Sequence, residues 1–175
     1  MNKAALELSL LKASLPEGHS FSLRSLESTV IRPRVGVGCL LSREDMKGTI
    51  LIGERKGSHG EGKLALPGGH LEFGASWGEC ASAETEEETS LSLLPSRWTL
   101  KCVTNDVMNE EGLHYITIFM EANLSSAEAQ KIKNMEPDKC HGWSWMKWKE
   151  LELKASEGKL FLPLRHFIET SMRSL

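Results

Sequence analysis

The chain has 175 residues, of which 40% are hydrophobic and 26% are charged, and these proportions are typical of one folded domain. Its 21 basic and 24 acidic residues leave a formal net charge of −3, which argues against a partner as negatively charged as duplex nucleic acid. No run of apolar residues approaches the ~18 that a membrane-spanning helix needs, so we expect no membrane partner.

The N-terminus and the cysteines bear on the location of the protein. Glu7 interrupts the first apolar run, which favours a helix or a tail over a secretory signal. We assign residues 1–28 to a helical or flexible extension and residues 29–175 to the domain. The four cysteines are far apart and form no CxxC pair, which argues against a disulfide framework and a zinc site and indicates a reducing, cytoplasmic setting.

The first half of the domain is predicted to form strands followed by one helix. The apolar run "PRVGVGCLLS" at 33–42 and the run "TILIGERK" at 49–56 predict two strands that pair across the turn "REDMKG". A glycine-rich loop and the extended segment "LALPGGHLEFG" follow. The segment 77–89 is the best helix candidate, because Ser76 can cap it and Glu79 completes a capping box.

The second half begins with another hairpin. The runs "WTLKCVTNDVM" and "HYITIFMEANL" predict strands on either side of the turn "NEEG". A polar connection with a possible helical turn precedes the tryptophan-rich run "HGWSWMKWKEL", and residues 160–174 predict a closing helix with Pro163 near its first turn. Strands and helices therefore intermix, which indicates an α/β or α+β fold.

The stretch "AETEEETS" at 83–90 crowds four glutamates into two helical turns. At 100° per residue, Glu87 and Glu88 flank Glu84 one turn along the helix, whereas Glu86 points away. Like charges at this spacing destabilise a helix unless a cation lies between them, and Mg²⁺ prefers carboxylate oxygens and shares them with substrate phosphates. A solvated acidic helix face is the alternative interpretation.

The sequence around these glutamates resembles the motif of a known protein family. The segment "GGHLEFGASWGECASAETEEETSL" resembles the Nudix box, G-x5-E-x7-R-E-U-x-E-E-x-G-U, with Gly69 as the first glycine and Leu91 as the last aliphatic position. The parts "RVGVG", "GERKGSHG", "HYITIFM" and "EPDKC" extend it over most of the chain. They are similar to the eukaryotic diphosphatases of oxidised or thiopurine nucleoside triphosphates and to a plant cytosolic branch that includes terpenoid diphosphate hydrolases.

The resemblance implies a Nudix fold, an α/β/α sandwich around a mixed sheet, and a Mg²⁺-dependent diphosphatase, with Mn²⁺ as another possible ion. It implies that Glu84 and Glu88 bind the metal with the Gly68 carbonyl, and that Glu87 assists or acts as the base. It also implies a small nucleotide or diphosphate as the substrate. A homodimer is plausible by the same resemblance.

Several residues are candidates for substrate binding. Arg55 could pair with a phosphate through its planar guanidinium, or it could simply face solvent at a strand end. Gly69 allows close backbone approach, and His70 beside it contacts phosphate or makes a structural hydrogen bond. The resemblance places four more residues where relatives hold the base: Thr117, Asn134, Leu162 and Leu164.

The chain departs from the family pattern at four positions of the box. Ala75 replaces its first glutamate, Ala83 its arginine, Thr85 an aliphatic residue and Ser90 its last glycine. Because the arginine and the first glutamate support the metal-binding glutamates in the family, we expect reduced or altered catalysis. Two alternatives to a nucleotide diphosphatase stay open: a hydrolase of prenyl diphosphates or nucleotide sugars, and a ligand-binding module with weakened catalysis.

Overall fold

A seven-stranded mixed sheet organises the protein. The structure, a computed structural model, describes residues 32–57 and 59–173. The predicted extension at residues 1–28 lies outside them. The strands are β1 (Arg34–Arg43), β2 (Thr49–Arg55), β3 (Leu64–Ala65), β4 (Gly68–His70), β5 (Thr99–Met108), β6 (Leu113–Leu124) and β7 (Cys140–Lys147).

Four α-helices accompany the sheet in the described part of the chain: α1 (Trp77–Thr89), α2 (Ser126–Ala129), α3 (Trp148–Ser156) and α4 (Leu162–Arg173). A 3₁₀ turn at Pro95–Arg97 precedes β5. No helix among the described residues is long and apolar enough to cross a membrane.

The sheet combines antiparallel hairpins with one parallel pair. Its strand order is β3-β2-β1-β6-β5, with β4 paired to β1 and β7 paired to β2. Strands β1 and β6 run parallel over their whole shared length, from Arg34 beside Tyr115 to Arg43 beside Leu124. The predicted pairings of β1 with β2 and of β5 with β6 are confirmed as antiparallel.

Alternating side chains of β1 separate two hydrophobic layers, as the two-residue period of a strand requires. Val37, Cys39 and Leu41 pack with Cys80 and Ala81 of α1 on one face. Leu40 packs on the opposite face in a layer that also holds buried side chains of β2, β6, α3 and α4. Helix α1 thus covers one face of the sheet, α3 and α4 cover the other, and the α/β/α sandwich is confirmed.

The ends of the predicted helices compare closely with the observed ones. Helix α1 begins and ends as predicted, with both hydrogen bonds of the capping box formed by Ser76 and Glu79. Helix α4 begins at Leu162, two positions later than the prediction, because Leu160 is still extended and forms a bridge with Leu64. The tertiary contact with β3 prevails there over the helical pattern.

Candidate active site

Three glutamates of helix α1 face a cavity at the edge of the side of the helix that packs in the core. Cys80, Ala81 and Thr85 on that packed side are buried. Glu84, Glu87 and Glu88 line the cavity. The fourth glutamate, Glu86, is exposed and is not among the lining residues, as the helical spacing predicts.

The two glycines of β4 bring the backbone against these carboxylates. The Gly68 amide donates a hydrogen bond to Glu88 Oε2 over 3.1 Å. Gly68 has a φ of +148°, and a Cβ atom there would collide with the Val37 carbonyl oxygen. A Cβ atom on Gly69 would overlap the Glu84 carboxylate. Position 68 therefore requires glycine for steric reasons, whereas a side chain at position 69 would displace the Glu84 carboxylate.

Burial and mutual repulsion disfavour the charged forms of the Glu84 and Glu88 carboxylates. Desolvation raises the pKa of Glu88 to about 8, and the charges of Glu84 and Glu136 add to this effect, whereas the Gly68 amide and Arg55 oppose it. Desolvation also raises the pKa of Glu84, with Glu87 as the largest charge contribution. A cation placed among these groups would favour the charged forms and relieve the repulsion.

The donor set fits a hard divalent cation. Carboxylate and carbonyl oxygens are the ligands that Mg²⁺ prefers, and the space left by the missing Gly69 side chain brings the Glu84 carboxylate next to β4. Within the described ranges, however, no group of three or more His, Cys, Asp or Glu side chains is gathered closely enough to hold an ion.

The C-terminal end of α1 is tied to the segment before β7. The Trp143 indole nitrogen donates to the Glu88 carbonyl over 3.1 Å, and the Met135 amide donates to the same oxygen. The Lys133 amide donates to the Thr89 carbonyl. These donors satisfy carbonyls that the helix leaves unpaired, which helps to offset the unfavourable placement of carboxylates near a helix C-terminus.

Arg55 brings a partly buried cation to the same cavity. Its guanidinium lies 4.5 Å from the centre of the Phe161 ring, and its Nε donates to the His59 carbonyl over 2.9 Å. Burial lowers the pKa of Arg55, and the Glu88 charge opposes that shift. A guanidinium held over an aromatic ring in this way is oriented for planar recognition of phosphate.

The cavity has a volume of about 530 Å³, within the range of small-molecule sites. Its lining joins the carboxylates of α1 to side chains on the α4 side of the sheet. Those side chains are mainly apolar or aromatic: Phe119, Phe161, Pro163 and Leu164. It therefore combines a polar, metal-compatible region with an apolar wall.

The predicted substrate-binding residues divide into two groups. Arg55, Gly69, His70, Thr117 and Leu164 all line this cavity. The His70 side chain is exposed, and its Nε2 lies 2.9 Å from the Tyr115 hydroxyl.

Asn134 and Leu162 are not among the described residues that line the main cavity. The Asn134 amide donates to the Cys140 carbonyl over 2.8 Å and accepts from the Glu136 amide, so both of its ends shape the loop before β7. Leu162 faces a second cavity that Met108 and Arg165 also line. Placement by resemblance missed these local contacts.

Sequence reasoning also missed lining residues. Glu136 and Lys139 of the segment "EPDKC" line the cavity and are paired at 2.7 Å. Their spacing of three residues with opposite charge was a usable signal. Tyr115 is another lining residue, and it could have been found from the two-residue period that places it on the side of Thr117.

The four departures from the Nudix box occupy different environments. Thr85 is fully buried in the aliphatic position of α1, whereas Ala83 is exposed next to Glu84. Ala75 precedes the N-cap of α1. Ser90 ends α1 in the left-handed conformation, with φ 58° and ψ 14°, which explains why glycine suits this position of the box.

A family model confirms the class of protein that this fold and site define. The NUDIX domain matches residues 32–167, most of the chain. The chain therefore belongs to the Nudix family, and the prediction of a Nudix-type hydrolase acting on acid anhydrides is confirmed.

Solved structures show the same fold. A MutT NUDIX hydrolase from Burkholderia pseudomallei is 28% identical, with 68% of this chain and 86% of that chain covered and a TM-score of 0.59. A MutT protein from Methanosarcina mazei is 21% identical, with 83% and 98% covered and a TM-score of 0.65. A bifunctional NMN adenylyltransferase/ADP ribose pyrophosphatase from Francisella tularensis, in complex with AMP and a Mn ion, is 19% identical, with 86% and 44% covered and a TM-score of 0.59.

Proposed function

We propose that this protein hydrolyses a diphosphate linkage in a nucleoside triphosphate or a related nucleoside diphosphate derivative, in a Mg²⁺-dependent reaction that releases pyrophosphate or phosphate. One observation carries the proposal: Glu84, Glu87 and Glu88 lie beside β4 at a cavity that also contains the Arg55 guanidinium. The choice of a nucleoside triphosphate follows the resemblance of segments such as "RVGVG" and "EPDKC" to eukaryotic nucleoside triphosphate diphosphatases.

The chain's own residues would hold the reacting groups. Glu84 and Glu88, with the Gly68 carbonyl, would hold Mg²⁺, which when bound neutralises phosphate charge. Manganese would serve with the same ligands, and the Francisella tularensis protein was solved with a Mn ion. Arg55 would bind a phosphate oxygen, and Gly69 leaves room for it against β4.

A carboxylate of α1 would accept the proton of the attacking water. Glu87 is the exposed member of the three glutamates, so it is open to water beside the other two. A carboxylate that is in contact with water can take up a proton from it, which is the role of a general base. All three glutamates would thus have catalytic roles, with Glu84 and Glu88 as the main metal ligands.

We further propose that the protein is cytoplasmic and forms a homodimer. All four cysteines are free in the structure, and a reducing compartment would keep them so. The homodimer rests on similarity to relatives alone.

A prenyl diphosphate is the second candidate substrate. The apolar wall formed by Phe119, Pro163 and Leu164 would suit a hydrocarbon chain as well as a base. A catalytically weakened binding module is the remaining alternative, motivated by Ala75 and Ala83.

A substrate panel tests these proposals. The purified protein would be incubated with canonical and oxidised deoxynucleoside triphosphates, ADP-ribose, a dinucleoside polyphosphate and geranyl diphosphate, with and without Mg²⁺. We expect Mg²⁺-dependent release of phosphate or pyrophosphate from a nucleotide. Release from geranyl diphosphate alone would favour the second candidate. Binding without release at high protein concentration would favour the module.

A further inference from the structure

A buried carboxylate on β5 forms a polar network behind the cavity. The Asp106 side chain is fully buried. Its Oδ2 lies 2.7 Å from the Thr104 hydroxyl and 2.8 Å from the Thr117 hydroxyl. Its Oδ1 lies 2.8 Å from Nδ1 of His166 on α4. Three polar groups from β5, β6 and α4 thus converge on one carboxylate.

The direction of each hydrogen bond in this network follows from its chemistry. A carboxylate can only accept, so the hydroxyls of Thr104 and Thr117 both donate to Asp106. His166 likewise donates from Nδ1, which fixes a protonated Nδ1 on its imidazole. The hydroxyl proton of Thr117 is therefore committed to Asp106, and only its lone pairs are free.

Thr117 is the member of this network that reaches the cavity. It lines the cavity and is only 7% exposed, whereas Thr104 and Asp106 are not among the lining residues described. Its neighbours in the lining include Phe119, two positions along β6, and Leu164 of α4. Among these three side chains of the cavity wall, only Thr117 carries an oxygen that can accept a hydrogen bond from a ligand.

We propose that Asp106 and His166 are positioning residues that hold Thr117 as an obligate hydrogen-bond acceptor, so that Thr117 selects a nucleobase presenting an N–H group to this wall. The inference rests on the proposed nucleotide substrate and specifies how its base is read. A base edge that presents only acceptors would meet oxygen lone pairs and be disfavoured. A prenyl chain has no N–H group and would gain nothing from this oxygen.

A series of nucleotides tests the polarity of Thr117. The series runs from deoxyguanosine triphosphate through deoxyinosine triphosphate to purine deoxyriboside triphosphate. Its first step removes the 2-amino group, and its second step removes the 6-oxygen together with the N1–H group. Deoxyadenosine and purine deoxyriboside triphosphates differ by the 6-amino group. For the wild-type protein, we expect one of these steps to lower kcat/KM by about tenfold, the usual effect of one lost hydrogen bond, mainly through KM.

Two pairs of variants test whether Thr117 and its bond to Asp106 cause the tenfold difference in kcat/KM. Thr117→Val removes the acceptor and should abolish the tenfold difference, whereas Thr117→Ser keeps the hydroxyl and should preserve it. Asp106→Ala releases the Thr117 proton and should also abolish the difference, whereas Thr104→Val leaves the bond from Thr117 to Asp106 in place and should preserve it. Asp106→Asn is less decisive because His166 could change its tautomer and leave Thr117 as a donor.

A spectroscopic measurement keeps the proposal testable if Asp106→Ala fails to fold. Nitrogen-15 NMR of the wild-type protein should show a protonated Nδ1 on His166. An unprotonated Nδ1 would overturn the proposal. So would nucleotide turnover without a difference along the series, or a difference that persists in Thr117→Val. If no nucleotide is turned over or bound, the proposed function itself fails, and the base-reading role fails with it.

Discussion

The Gly68 amide donates to Glu88 Oε2 over 3.1 Å, so the backbone of β4 holds one of the carboxylates of α1 that the Nudix box supplies. The bond opposes the desolvation of Glu88 but does not cancel it, because the pKa of Glu88 is still raised to about 8. Without a bound cation, Glu88 thus keeps its proton to a higher pH than a solvated glutamate does.

This raised pKa predicts a pH-dependent stability in the metal-free protein. Because the pKa of Glu88 is higher in the folded state than the unperturbed 4.5, its contribution to stability is complete below about pH 4.5 and is lost as the pH rises through about 8. The loss amounts to a few kcal/mol, because a difference of one in pKa between the folded and unfolded states corresponds to about 1.4 kcal/mol. Denaturant unfolding in EDTA between pH 5 and 9 would measure it.

A glutamine at position 88 provides the control for this prediction. Glu88→Gln cannot ionise, so it should flatten the profile and make the metal-free protein more stable than the wild type at pH 8 to 9. The matched variant Glu86→Gln removes an equal charge from an exposed position of α1 and should leave the profile unchanged. Parallel profiles for the wild type and Glu88→Gln would contradict the raised pKa.

Gly69→Ala should impair catalysis without backbone strain. Gly69 is not among the glycines with positive φ, but its added Cβ would overlap the Glu84 carboxylate. The displaced carboxylate should lower kcat/KM by at least about tenfold, since a displacement of about 1 Å at a catalytic group can cost more than that. Gly36→Ala is the control, because its φ is not positive and a Cβ there would make only ordinary contacts, at 3.5 Å to the Gly69 carbonyl oxygen and 3.7 Å to Tyr115. Equal activities of the two variants would refute the steric account.

Ser90→Gly should stabilise the protein. Ser90 is the one described residue other than glycine with a positive φ, and it ends α1 in the left-handed conformation. Glycine removes that strain, which should raise the free energy of unfolding by about 0.5–1 kcal/mol. Ser90→Ala removes the hydroxyl but retains the strain, so chemical denaturation should show no such gain. If alanine stabilises as much as glycine, the conformational explanation is wrong.

Arg55→Met should weaken binding of phosphate-containing substrates. Methionine keeps an apolar chain beside Phe161 but removes the guanidinium, so we expect KM to rise by about tenfold or more. Arg55→Lys retains a charge without the planar fork and should recover only part of the loss. Steady-state kinetics on the best nucleotide would decide. Unchanged KM values in both variants would show that Arg55 serves only to pack against Phe161.

Sequence patterns predict the fold well wherever the local signal and the tertiary contacts agree. The capping box of Ser76 and Glu79 sets the start of α1, and the alternating runs set β1, β2, β5 and β6. The predicted start of α4 is too early because a bridge between Leu64 and Leu160 joins residues 96 positions apart, beyond the reach of periodicity.

In the candidate site, too, sequence patterns predict some features and cannot predict others. Helical spacing alone separates Glu84, Glu87 and Glu88 from Glu86, since all four lie on one helix. The Asp106 network could not be predicted, because it depends on how β5, β6 and α4 meet in space. The hydrogen bonds of Asn134 could not be predicted for a related reason: its partners are the Cys140 carbonyl and the Glu136 amide, and no sequence pattern connects them with it.

The measurement that tests the central claim most directly is the rate of phosphate or pyrophosphate release from the best nucleotide, with and without Mg²⁺, in the wild type, Glu88→Gln and Glu86→Gln. We expect Mg²⁺-dependent release in the wild type, release at a similar rate in Glu86→Gln, and a loss of at least about 100-fold in Glu88→Gln. Release at the same rate with and without Mg²⁺, or equal rates in the two variants, would contradict a metal-dependent reaction at the carboxylates of α1.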